Sequence, residues 1–262
     1  MLGKLMKYEW KSTWKLLVPA NLLIIVTAFF AFIAVRHDIF DSIGNYNGST
    51  VMLTGLVMLT YIASMFVAMI GSAVYLIYHF YTSTYGDQGY LLHTLPVDKH
   101  YIIVAKVLVS LLWMLLSSFL MYMSVLFLFV TEDVLTEFTD ILKILVTRTY
   151  LEDISSFAVI MSIIAVIVEM LVRVLKVAAC ISLGQLSANH KLLTAFAYYF
   201  AIYVIQQMAN GCYYIILGLF NERNETWFMG GSWEFSLIMG LIYAVIFYLL
   251  TWHVMDKQLN LD

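Results

Sequence analysis

Proline, cysteine and charge are all scarce in this sequence, and the last two shortages each exclude something. Pro19 and Pro96 are the only prolines, and Pro96, just before the third apolar run, marks that helix start. The two cysteines, Cys180 and Cys212, both fall inside apolar runs. They read as inert packing residues, not as a disulfide or a metal pair. Charged residues make up 12% of the chain and hydrophobic ones 63%, where soluble domains carry roughly 25% and 45–50%. That excludes a large soluble domain. The small net charge of −3 gives a nucleic-acid role no support. No G-x-x-x-x-G-K-[ST] phosphate loop occurs; the only Gly-Lys pair is Gly3-Lys4, with no glycine-rich cradle before it. The chain therefore cannot hydrolyse a nucleotide by itself. Six histidines show no metal-ligand spacing, and no Ser-His-Asp or Cys-His set is suggested, so no metal site and no catalytic residue is expected.

Apolar sequence is what the chain has in abundance. A bilayer span needs roughly 20 mostly apolar residues, and six runs meet that length, at about 16–36, 51–80, 101–130, 154–186, 192–220 and 235–255. The expectation is an all-α membrane protein, a single transmembrane domain over 1–262 with six transmembrane helices. Lysine placement sets its orientation. With the N-terminus in the cytoplasm, Lys4, Lys7, Lys11, Lys15, Lys99, Lys106, Lys191 and Lys257 fall inside. Most loop acids, among them Glu132, Asp133, Glu137, Asp140, Glu152 and Asp153, then fall outside. Both termini are expected in the cytoplasm, and Pro19 in the first turn of the first span.

Residues 1–17 read as an interfacial amphipathic helix. Lys4, Lys7, Lys11 and Lys15 share one face, Leu2, Leu5, Met6, Leu16 and Leu17 lie opposite, and Trp10 and Trp14 sit on the flank. That arrangement suits anionic headgroups and the bilayer boundary, and equally a plain anchor. In the fourth run, Glu169, Arg173 and Lys176 share a face at i, i+4 and i+7. Charges at that depth line a polar path, pair with another helix, or snorkel to the interface. The fifth run carries a polar and aromatic stripe of Tyr199, Tyr203, Gln206, Asn210 and Tyr213. It reads as helix glue or as the lining of a translocation pathway. Ser64, Ala68 and Ser72 form a small-residue seam with its partner left open. Residues 132–149 place Val134, Phe138, Ile141 and Leu145 on one face, as in a connector or an outer lid.

The polar loop over 81–100 is the most informative stretch. Two glycines allow a tight turn, and Leu91, Leu92 and Leu95 make one apolar stripe ending at Pro96. Here the sequence resembles the permease subunits of type-2 ATP-binding-cassette exporters, especially small six-span ones of Gram-positive bacteria. Those commonly read Gly-Asp/Glu-x-Gly-Tyr-Leu, then Leu-Pro-Val and a lysine. The matching residues are Gly86, Asp87, Gly89, Tyr90, Leu91, Leu95, Pro96, Val97 and Lys106. Further matches are Ser182-Leu183-Gly184-Gln185-Leu186 with His190-Lys191, and the tail Lys257-Gln258-Leu259-Asn260-Leu261. The resemblance implies that Tyr85, Gly86, Asp87, Gln88, Gly89, Tyr90, Leu91, Leu92, Leu95 and Pro96 couple to a separate ATPase. Gln185, His190 and Lys191 would form a second cytoplasmic loop. It further implies two ATPase copies binding ATP and magnesium, a second permease subunit of the same or another kind, and no cofactor in this chain. The location would be the plasma membrane of a Gram-positive bacterium, and the cargo an amphipathic peptide, drug or lipid-like compound. The alternatives are an ion-coupled secondary transporter using the fourth-run charges, for which no internal symmetry or broken helix is visible, and an intramembrane enzyme or sensor scaffold, for which no catalytic constellation is visible.

Overall fold

A computed structural model describes residues 2–41, 48–86, 89, 98–128, 156–187, 190–220 and 232–257. Among these every regular element is helical: α1 (Leu2–Asp41), α2 (Gly48–Tyr85), α3 (Lys99–Leu128), α4 (Ser156–Gly184), α5 (Lys191–Phe220) and α6 (Ser232–Lys257). Searched over the described residues, five helices, α1, α2, α3, α5 and α6, are long and apolar enough to cross a membrane. A low-dielectric slab leaves backbone groups no water to bond, so such runs close their hydrogen bonds internally as helices. The chain thus has the make-up of a multi-pass membrane protein.

The N-terminus differs from the expectation. No break separates the lysine-bearing turns from the apolar ones; both belong to the continuous α1, and Pro19 lies inside it rather than in its first turn. Proline removes the bond that its own N–H would give to the Lys15 carbonyl and crowds that carbonyl, yet the helix runs on through it. Pro19 is exposed, away from the stripe of Glu9, Thr13, Leu17, Asn21, Ile24, Ala28 and Ala31 that the helix buries. The four lysines are exposed, as is Trp14, and Leu16 points outward although Leu17 is fully buried.

The residues fall into two compact units, and α1, α2 and α3 contribute to both. The first comprises Met1–Leu5, His79–Leu111 and Asp153–Asp262. Its core joins Ile103 and Val107 of α3 to Val172, Leu175 and Ala179 of α4, and to Ala244, Phe247 and Met255 of α6. α4 packs on both α5 and α6. Gly240 permits the approach to α6, since a Cβ there would stand 2.8 Å from Val168 Cγ1.

The second unit comprises Met6–Tyr78 and Leu112–Glu152. Trp113, 1% exposed, stacks on Trp10 with centroids 4.5 Å apart and donates from Nε1 to Thr13 Oγ1 at 2.8 Å. The seam of Ser64, Ala68 and Ser72 is buried within this chain. Ser64 Oγ meets Thr27 Oγ1 of α1 at 2.7 Å, and Tyr61 Oη meets Ser124 Oγ at 3.0 Å.

Candidate functional site

The first candidate surrounds the chain between α2 and α3. α2 ends on α4: Tyr85 Oη bonds Ser182 Oγ at 2.6 Å, over a small core of Phe80, Ala178 and Ile181. Ser182 is fully buried, so the tyrosine hydroxyl that would otherwise be orphaned there has a fixed partner. Gly86 N–H donates to Thr82 O at 3.2 Å, and Gly89 N–H to Gly86 O at 2.7 Å. Neither glycine has a positive φ. Close approach demands them instead, since a Cβ at Gly86 would stand 2.6 Å from Thr82 O and one at Gly89 would overlap the Thr84 backbone.

On the far side of the loop, α3 begins against α6. Lys99 Nζ pairs with Asp256 Oδ1 at 3.2 Å. His100 bonds Tyr248 Oη through Nδ1 at 2.7 Å and stacks on Trp252 at 5.0 Å between centroids. Nearly two turns onward, buried Lys106 donates to Ser83 Oγ at 2.6 Å, joining α3 back to α2. Both ends of the loop are thereby fixed to helices of one compact unit. Of the anticipated coupling residues, Tyr85, Gly86 and Gly89 are described. Asp87, Gln88, Tyr90, Leu91, Leu92, Leu95 and Pro96 lie outside the described residues, as do the segment 132–149 and the tail beyond Lys257.

The turn between α4 and α5 holds the second anticipated loop. Gly184 meets the start of α5, where a Cβ would stand 2.6 Å from Ala195 Cβ and 2.7 Å from Lys191 O. His190 adopts φ 58°, and its carbonyl accepts from Thr194 N–H at 3.0 Å and from Thr194 Oγ1 at 3.1 Å. Lys191 is exposed, and Gln185 is half-buried.

The polar residues of α4 and α5 divide. Lys176 is brought onto the α5 stripe: its Nζ donates to Gln206 Oε1 at 3.0 Å and lies 5.0 Å from the Tyr199 ring centroid and 5.6 Å from that of Tyr203. Its side chain is buried, with the residue 7% exposed. Glu169 and Arg173 stay outside this cluster, exposed and paired at 3.5 Å. Gln207 Nε2 donates to Tyr203 Oη at 3.0 Å. Tyr213 stacks instead on Phe235 of α6, and Asn210 is half-buried.

Comparison with protein-family models, curated proteins and solved structures finds no match. The geometry is what bears on function. It ties the end of α2 to α4 and the start of α3 to α6, and it holds the Lys176 ammonium against aromatic faces. Among the described residues no group of His, Cys, Asp or Glu could hold a metal ion. Sequence reasoning missed Trp113 with Thr13, Ser83 under Lys106, and the Tyr248–Trp252–Asp256 anchor. The one available signal was chemical: a tryptophan N–H or a lysine inside an apolar run must find an acceptor.

Proposed function

We propose that the chain is the transmembrane permease subunit of an ATP-binding-cassette exporter, driven by a separate ATPase that docks on the loop over 86–97. The observation that carries this reading is the anchoring of both loop ends, by Tyr85 on Ser182 and by Lys99 and His100 on Asp256, Tyr248 and Trp252. A loop so held acts as a lever. When the motor closes on ATP, the displacement passes to α4 and α6 without being absorbed in slack connections, and the path changes its side of access. The chain supplies the path and its partner the hydrolysis, which fits the missing phosphate loop. The working assembly would be two permease subunits and two ATPases in a bacterial plasma membrane, both termini of this chain inside. Its cargo would be an amphipathic peptide, drug or lipid-like compound.

The exposed Glu169–Arg173 pair on α4 favours one other reading, an ion-coupled secondary transporter. Purification of the tagged chain from its native membrane separates the two. An ATPase bearing a phosphate loop should co-purify with the wild type and be lost with Leu91→Arg or Leu95→Arg. An ATPase that stays bound to both variants, or transport by the chain alone under an ion gradient, defeats the export reading.

A further inference from the structure

The ammonium of Lys176 is held the way a receptor holds a ligand. Two ring faces and one amide oxygen surround it, from Tyr199, Tyr203 and Gln206, and among the described residues no carboxylate lies within ion-pair distance, Glu169 attracting it only from two turns back on α4. These three side chains stand at i, i+4 and i+7 of α5. The box therefore belongs to α5, with Lys176 inserted into it from α4. Gln207 bonds the Tyr203 hydroxyl and steadies that ring. Tyr199 is 37% and Tyr203 45% exposed, so the rings are open on the side that the lysine does not cover.

Aromatic faces with a neutral amide do not select for an ammonium on a lysine stem. They attract any monovalent cation, and more strongly as water is removed. A bulky organic cation spreads its charge and is weakly hydrated, so it loses less than a compact ammonium on leaving water. Lysine has a flexible four-carbon stem and can withdraw. We propose that Tyr199, Tyr203 and Gln206 form a binding site for amphipathic organic monocations, which Lys176 fills when no ligand is present. This deepens the export reading by naming a substrate class. It is tested by binding to the chain alone, so its failure is distinct from the failure of ATPase docking.

The test uses the purified chain in zwitterionic nanodiscs with radiolabelled tetraphenylphosphonium, counting saturable binding above empty discs. Lys176→Met should bind the probe about tenfold more tightly than wild type, because the tethered competitor is gone. Lys176→Arg, which refills the box, should bind as wild type does. Adding Tyr203→Leu to Lys176→Met should reverse the gain. No gain in Lys176→Met, or a gain that survives Tyr199→Leu with Tyr203→Leu, overturns the proposal. So does tighter binding of tetraphenylborate, the anion of the same shape, if Lys176→Met abolishes it, because the lysine would then be an anion anchor. If Lys176→Met does not elute as a folded species, Tyr203→Leu in the wild-type chain decides. Weakened phosphonium binding supports the site, and unchanged binding overturns it.

Discussion

Single side chains carry much of what defines this chain, and Trp113 shows how. Its indole N–H is buried and has Thr13 Oγ1 as acceptor. Thr13→Val keeps the volume but strands that donor. A buried unsatisfied donor costs roughly 1–3 kcal/mol, and side-chain hydrogen bonds between membrane helices average roughly 0.6 kcal/mol with a maximum near 1.7. Thr13→Val should therefore lower the unfolding free energy by about 1 kcal/mol, measured by denaturant titration in mixed micelles. The hydroxyl of Thr13→Ser should retain most of it. The threonine's own donation to Glu9 O at 3.0 Å adds little, because that carbonyl already serves the helix. None of this pairing could be read from the sequence, where Trp10 and Trp14 look alike as interface markers. Their difference is tertiary: Trp10 stacks on Trp113, and Trp14 is exposed. Lys176 was legible as a charge needing an answer and the α5 stripe as an answer without a charge. Only the structure joins them.

Helices were the most legible level, because apolar runs of this length leave the backbone few other ways to bond itself. From α2 onward the apolar runs and the observed helices coincide to within about five residues at each end. α1 is the exception, since helical periodicity cannot reveal whether an amphipathic start and an apolar continuation are one element or two. The joints between helices depend on contacts distant in space and were less visible. Gly184 at the close of α4 is the clearest case. A methyl there would overlap Ala195 Cβ at 2.6 Å and Lys191 O at 2.7 Å, and neither a backbone oxygen nor a short alanine can swing aside. Gly184→Ala should destabilise by about 1–3 kcal/mol, the usual cost of overpacking. Adding Ala195→Gly should recover part of that loss, because it removes one of the two obstacles. A thermal melt of the two variants in detergent reads both effects. A single variant as stable as wild type would show that α5 can shift away freely.

At the scale of the whole molecule, topology turns on α4. Among the described residues, five helices are long and apolar enough to cross a bilayer, while α4 carries Glu169, Arg173 and Lys176. If α4 crosses as well, the number of crossings is even and the two termini share a side. If it does not, the number is odd and they are separated. Each of its charges is answered in a way that permits crossing. Lys176 is satisfied by α5, Glu169 and Arg173 offset one another, and paired charges in a span cost far less than isolated ones. The lysine distribution leads to the same expectation, with both ends in the cytoplasm. In a background with Cys180 and Cys212 replaced by alanine, Gly3→Cys, Asp98→Cys and Lys257→Cys should all react with a membrane-impermeant maleimide in inverted vesicles and stay unlabelled in intact cells. Asp41→Cys should show the reverse pattern. Labelling of Gly3→Cys and Lys257→Cys from opposite sides would remove α4 from the bilayer. The proposed lever would then act on the bilayer through α6 alone.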